Sequence, residues 1–143
     1  MYNVTRTFRV PVGHRLSNHL GLCKNIHGHN LKIQVSVKIK TLNEKSMVID
    51  FSDLKDIVNK ILAELDHSLL LNNSDHEYIN AVRGLTKIVL INGEPTAENL
   101  CYYLFVEITT KLLDLHPPLE VNFVRIWESD DAYAEYNGEN NEI

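Results

Sequence analysis

The stretch HGHNLKIQVSVKIK, from His27 to Lys40, leaves little freedom in how it can fold. Leu31, Ile33, Val35, Val37 and Ile39 fall on one parity; Lys32, Gln34, Ser36, Lys38 and Lys40 fall on the other. Alternation of period two sustained over that length fits a strand with one buried and one wet face. An upstream segment, VTRTFRVPVGH, alternates as well. Val4, Phe8, Val10, Val12 and His14 share a parity, and Arg6 is the misfit on the apolar side. The two strands are expected to pair antiparallel, with Arg15 to Ile26 as a wide loop between them.

Helical periods follow. MVID reads as a short extension. Ser52 is the expected N-cap of a first helix, with Asp53 and Asp56 in its first turn. Leu54, Ile57, Val58, Ile61, Leu62 and Leu65 recur at helical spacing. That helix delivers Asp66 and His67 at its C-terminal end. The segment from Asn72 to Gly93 holds a short helix and a short strand, KIVLI, closed by Asn-Gly. A second long helix begins at PTAENL, with Thr96 as N-cap. Leu100, Leu104, Ile108, Leu112 and Leu115 form its stripe, and Pro117 and Pro118 stop it. LEVNFVRIWE reads as a strand apolar on both faces, and AYAEY as a final strand. The order predicts an α+β fold: an antiparallel sheet of four strands with two main helices on one face.

With 143 residues, 44% of them hydrophobic and 23% charged, the chain is expected to be one globular domain over 1–143. The polar tail from about 138 is expected to fray. A net charge of −5 argues against a nucleic-acid partner. No apolar run spans a bilayer, and MYNVTRTFRV lacks a basic start followed by an apolar block, so a cytosolic chain is expected. Arg15 and Lys24 lie near one another in the sequence and could serve a small anion, or be scattered surface charge.

The seven histidines are unevenly placed. His27 and His29, two apart on a strand, project to the apolar face, and His14 is in phase with Phe8, Val10 and Val12. Three imidazoles therefore point inward from adjoining strands. Unpaired buried polar groups cost roughly 1–3 kcal/mol each, and one zinc ion would satisfy all three. The alternative is an ordinary half-buried His14 beside a His-Gly-His pair. Cys23, in the loop, either closes the metal site as a fourth ligand or stays free as a thiolate beside a dication. Spacing does not choose between them.

Other titratable groups admit two readings each. Asp66 and His67 could tune one another as an acid–base pair, or form a helix C-terminus with a histidine favoured by the dipole. Glu128 follows Val124 and Ile126 in phase. It could accept two hydrogen bonds from a planar N–H pair, or end a strand in water. Cys101 reads as core, and His19, His76 and His116 as surface.

Taken in order, GHRL, CKNIHGHN, MVIDFSDLK, LDHSLL, PTAENL and VRIWE resemble the 6-pyruvoyltetrahydropterin synthase and 6-carboxytetrahydropterin synthase family, from about Phe8 to Tyr136. A cysteine three intervening residues ahead of His-Gly-His resembles the bacterial 6-carboxytetrahydropterin synthase of queuosine biosynthesis. Animal pyruvoyl enzymes have a longer gap there, and a folate-pathway variant has glutamate in place of the cysteine. The resemblance implies that His14, His27 and His29 bind zinc, that Cys23 is the general base, and that Asp66 and His67 form a second proton-transfer element. It matches Glu128 to the glutamate that anchors the pterin ring and puts Thr96 in a segment near that ring. It also implies the tunnelling fold. Three subunits close their sheets into a barrel, two such trimers stack as a homohexamer, and sites form between subunits. VPVGH departs from the family in lacking small residues before the first histidine, and the segment from Asn72 to Gly93 is long.

The reaction implied is that of a carbon–carbon lyase. 7,8-Dihydroneopterin triphosphate would become 6-carboxy-5,6,7,8-tetrahydropterin with loss of triphosphate and acetaldehyde. The rival is the pyruvoyl reaction, which eliminates triphosphate and keeps the three-carbon side chain. A rival of another class is a non-catalytic zinc- or pterin-binding protein of the same shape.

Overall fold

The computed structural model describes residues 1–139. Its regular elements are β1 (Tyr2–His14), β2 (His27–Ile39), α1 (Phe51–Leu65), β3 (Ser68–Asn72), α2 (His76–Val82), β4 (Ile88–Ile91), α3 (Ala97–Leu115), β5 (Glu120–Ser129) and β6 (Ala132–Tyr136). The strands form one sheet in the order β4-β3-β1-β2-β5-β6. The antiparallel run β1-β2-β5-β6 is the anticipated four-stranded sheet. It is extended beyond expectation by β3 and β4, which pair parallel at the β1 edge. SLLLN in β3 is buried at all five positions. It therefore lacks the alternation by which a half-buried strand is recognised. Leu70 faces the main core, while Leu69 and Leu71 pack with Ile79 of α2 on the opposite face. A strand covered on both sides reads as a continuous apolar run.

The main core lies between the sheet and the helices α1 and α3. Phe8, Val10, Leu31, Ile33 and Ile126 meet Leu54, Val58, Leu104 and Ile108 there. Arg6, the misfit of β1, is tolerated because its Nη1 donates to the Phe51 carbonyl at 2.8 Å. Helix α1 starts two residues earlier than expected. Asp50, not Ser52, is its N-cap, and the carboxylate accepts from the Ser52 N–H at 2.7 Å. Thr96 caps α3 as expected, accepting from the Asn99 N–H at 3.2 Å. Leu115 falls outside the buried stripe of α3 and is 56% exposed, since the helix ends there. Of the tail expected to fray, residues 140–143 lie outside the described residues.

Ile33 is fully buried at the centre of the sheet, opposite Phe8 on one side and Ile126 on the other. Ile33→Ala is expected to cost about 2–5 kcal/mol of unfolding free energy, measured by denaturant titration, because the flanking strands cannot collapse into the void. A loss below about 1 kcal/mol would mean that the site repacks.

Candidate metal centre and active site

The site grows out of strand register. His14 and His27 are direct cross-strand partners at the ends of β1 and β2, and His29 is the partner of Val12. All three side chains lie on the helix-covered face. Their ring centroids are 4.6, 4.9 and 5.0 Å apart, and one ligating atom from each lies within 4.8 Å of the others. Gly13 and Gly28 face one another between the histidines. A Cβ on Gly28 would come within 3.3 Å of the Val12 carbonyl, so the glycine permits the close strand approach.

Two backbone carbonyls set the tautomers. His14 Nδ1 donates to the Pro95 carbonyl at 2.8 Å, and His27 Nδ1 donates to the Asn25 carbonyl at 2.7 Å. Each ring is left with a bare Nε2, and these two atoms are 3.0 Å apart. Two lone pairs at that separation repel unless a cation sits beside them. His29 Nε2 is buried without a hydrogen-bond partner, and Glu128 Oε2 is 3.5 Å from it. Burial chiefly holds His14 below the ordinary histidine pKa, with His27 and His29 acting in the same direction. Together they outweigh the opposing effects of Pro95 and Glu128 and favour the neutral ligating form. Three convergent imidazole nitrogens, one of them orphaned, fit a borderline divalent ion such as zinc.

Glu128 arrives by a bulge. Pairing of β5 with β6 skips from Trp127 to Ser129, so Glu128 sits at the irregularity rather than at a regular buried strand end. Its side chain keeps 34% exposure, more than its phase with Val124 and Ile126 predicts. Bulges beside functional sites re-aim side chains in this way. Glu128 and Thr96 line one cleft of about 290 Å³ with Leu16, Ala97 and Tyr133.

Cys23 is half-buried in a short 3₁₀ turn, Leu22–Lys24. Among the described residues the metal-ligating cluster is the three histidines, and the Cys23 sulfur is outside it. Asp66 and His67 form the turn between α1 and β3. The His67 N–H donates to the Pro11 carbonyl at 2.9 Å, and His67 Nδ1 donates to Asp66 Oδ1 at 2.6 Å. Their side chains are 82% and 50% exposed for His67 and Asp66 respectively. His67 and His29 both line a larger, mostly apolar cavity of about 760 Å³. His67 has φ 56°, in the left-handed region that non-glycine residues rarely occupy. Arg15 is not available to an anion. It is 8% exposed, its Nε lies 3.4 Å from Asp75 Oδ2, and its guanidinium stacks 3.6 Å from the Tyr78 ring centroid.

Sequence reasoning missed the two orienting carbonyls, because any residue supplies a carbonyl and only the fold says which is near. It also passed over Glu94, which accepts hydrogen bonds from Ser17 N–H at 3.0 Å and from the Ser17 hydroxyl. Burial pushes the Glu94 carboxyl upward. The Ser17 side-chain and backbone donors, helped by Asn72 and Asn18, outweigh that effect and hold it below the usual range.

The chain matches the family described as 6-pyruvoyl tetrahydropterin synthase over residues 3–139. It is 30% identical over 138 residues to a protein of Rickettsia bellii named 6-carboxy-5,6,7,8-tetrahydropterin synthase, covering 94% of this chain and 99% of that one. A protein of the same name from Haemophilus influenzae is 31% identical over 144 residues, covering 95% and 99%. Among solved structures, the 6-pyruvoyl tetrahydropterin synthase of Caenorhabditis elegans superposes with a TM-score of 0.70 at 23% identity, covering 96% of this chain and 95% of that one. That likeness speaks to the fold.

Proposed function

Because the chain belongs to the 6-pyruvoyl tetrahydropterin synthase family, we propose that it is a zinc-dependent lyase acting on 7,8-dihydroneopterin triphosphate. One water is consumed, and the products are 6-carboxy-5,6,7,8-tetrahydropterin, acetaldehyde and triphosphate. The observation that carries this reading is the group of three imidazole nitrogens, left bare or orphaned at the end of β1 and β2, with no thiol among them. The relatives named above favour the carboxy product. The family description and the C. elegans neighbour carry the pyruvoyl name, which keeps that product as the second reading.

His14, His27 and His29 hold the zinc. When bound there it supplies Lewis acidity toward the hydroxyls of the substrate side chain. Cys23, off the metal, takes a proton from that side chain as thiolate. Glu128 accepts the N–H pair of the pterin ring, and Thr96 lines the same cleft. Asp66 orients His67 so that its Nε2 is free to move a proton. The exposure of that pair supports an assembly in which it serves a neighbouring subunit's site, within a trimer or a hexamer of two trimers. No helix among the described residues is long and apolar enough to cross a membrane. The free cysteines Cys23 and Cys101 suit a cytoplasmic setting.

Incubating zinc-replete protein with dihydroneopterin triphosphate and identifying products by mass spectrometry tests the proposal. Acetaldehyde with the carboxy pterin is expected. A retained three-carbon side chain would move the assignment to the pyruvoyl reaction, and no turnover would leave only a binding protein.

The left-handed backbone of His67 gives a separate expectation. Asparagine tolerates that conformation. His67→Asn should therefore melt within a few degrees of the wild type, since surface changes usually stay within about 0.5 kcal/mol. Turnover should fall about 10²-fold or more, as expected for loss of an acid–base group. Equal turnover in the two proteins would remove His67 from the chemistry.

A further inference from the structure

The loop that carries Cys23 has little apolar anchorage. Leu20 is 100% exposed and Leu22 is 86% exposed. What holds it is polar. The Leu16 N–H donates to the Cys23 carbonyl at 2.8 Å, closing the loop on itself, and His19 N–H donates to the Leu16 carbonyl at 3.1 Å. Ser17, next to Leu16, then gives both its N–H and its hydroxyl to the Glu94 carboxylate.

The far end of this tether is a stiff segment. The Thr96 N–H donates to the Glu94 carbonyl at 2.9 Å, and Asn99 Nδ2 donates at 2.9 Å to the carbonyls of both Asn92 and Glu94. Thr96 caps α3. Pro95, between Glu94 and Thr96, supplies the carbonyl that orients His14. Three consecutive residues therefore touch the thiol loop, a member of the histidine cluster and the cleft lined by Glu128.

We infer that Glu94 is a positioning residue: its carboxylate ties the thiol-bearing loop to the segment that orients His14, and so fixes where that loop presents Cys23. This rests on the reading of Cys23 as the thiol of the reaction, but the tether itself is measurable without turnover. A carboxylate accepting two hydrogen bonds is a charge-assisted contact, and the loop has few others to replace it.

The test uses the full-length, zinc-replete chain with Glu94→Ala, Glu94→Gln, Ser17→Ala and the Ser17→Ala/Glu94→Ala double variant. Cys23 alkylation by iodoacetamide is followed by peptide mass spectrometry, which separates it from the buried Cys101, together with bound zinc, kcat and KM. Glu94→Ala should speed Cys23 alkylation about tenfold or more, the factor that loss of a charged hydrogen bond implies. Zinc should stay bound, and kcat should fall by more than KM changes. Glu94→Gln should recover most of both effects, since an amide accepts from the Ser17 N–H and donates to its hydroxyl. The double variant should be no worse than Glu94→Ala, because the hydroxyl contact that Ser17→Ala removes is already lost in Glu94→Ala. Unchanged alkylation in both Glu94→Ala and Ser17→Ala would overturn the inference, as would independent, additive effects of the two. If Glu94→Ala does not fold, Ser17→Ala against Glu94→Gln decides by the same alkylation readout. An alkylation difference in protein that shows no turnover even as wild type would sink the proposed reaction and leave the tether standing.

Discussion

Cys23→Ala is expected to bind as much zinc as the wild type and to lose turnover by roughly 10²–10⁴-fold, the range for removing a general acid or base. The Cys23 sulfur is outside the group formed by His14, His27 and His29. The turn that carries it is held through its backbone, since the Cys23 carbonyl accepts from Leu16 N–H. Truncating the side chain therefore removes a thiol and leaves the loop contact. Metal analysis of the purified variant, with product assay beside it, reads both quantities. Loss of zinc in parallel with activity would make the sulfur a ligand and remove it as the base.

The other large effect belongs to the metal set. His27→Ala should abolish turnover and also erase the zinc-dependent stabilisation expected of the wild type. A ligand present at 100 times its Kd adds about 2.7 kcal/mol to the folded state, a shift readily seen in a melting curve. His27 lies opposite His14, and its Nδ1 is committed to the Asn25 carbonyl, so its Nε2 has no other task in the site. The metal-free variant should melt near the metal-free wild type, because His27 is half-buried rather than core. An equal zinc-induced shift in both proteins would mean that the ion binds elsewhere. Acid should act on the same site. The folded-state pKa of His14 lies below the ordinary 6.5, so the stability it contributes is present above 6.5 and fades as pH falls below that value. Metal-free protein should therefore weaken on acidification through that window, and zinc should be released as the imidazoles compete for protons.

Much of this arrangement is legible in the chain. The alternation of β1 and β2 identifies the helix-covered face, and the same parity puts His14, His27 and His29 on it. The order of motifs carries the family resemblance, which the comparison with known sequences matches. The misses have physical causes. β3 gave no alternation because both of its faces are covered. Ser52 reads as the cap because a hydroxyl before a periodic run is a common signal, whereas the nearby Asp50 carboxylate makes the bond. Parity leaves Glu128 open between a buried and a solvated strand end because counting assumes a regular ladder, and a bulge interrupts it. Arg15 looked like a free cation because its neighbours Asp75 and Tyr78 are remote in the chain.

By itself, the sequence determined the long strands β1, β2 and β5 and the long helices α1 and α3, and which side chains of β1 and β2 share a face. Those are properties of local backbone period, and they survive whatever the segments pack against. Only the tertiary structure decided that His14 meets His27 at 3.0 Å, that Pro95 and Asn25 set their tautomers, and that the Cys23 sulfur stands apart from the cluster. Those facts depend on strand register and on where a long loop is tethered. Apart from the local Asn25–His27 contact, they are fixed by contacts between residues distant in the chain, which no local periodicity encodes.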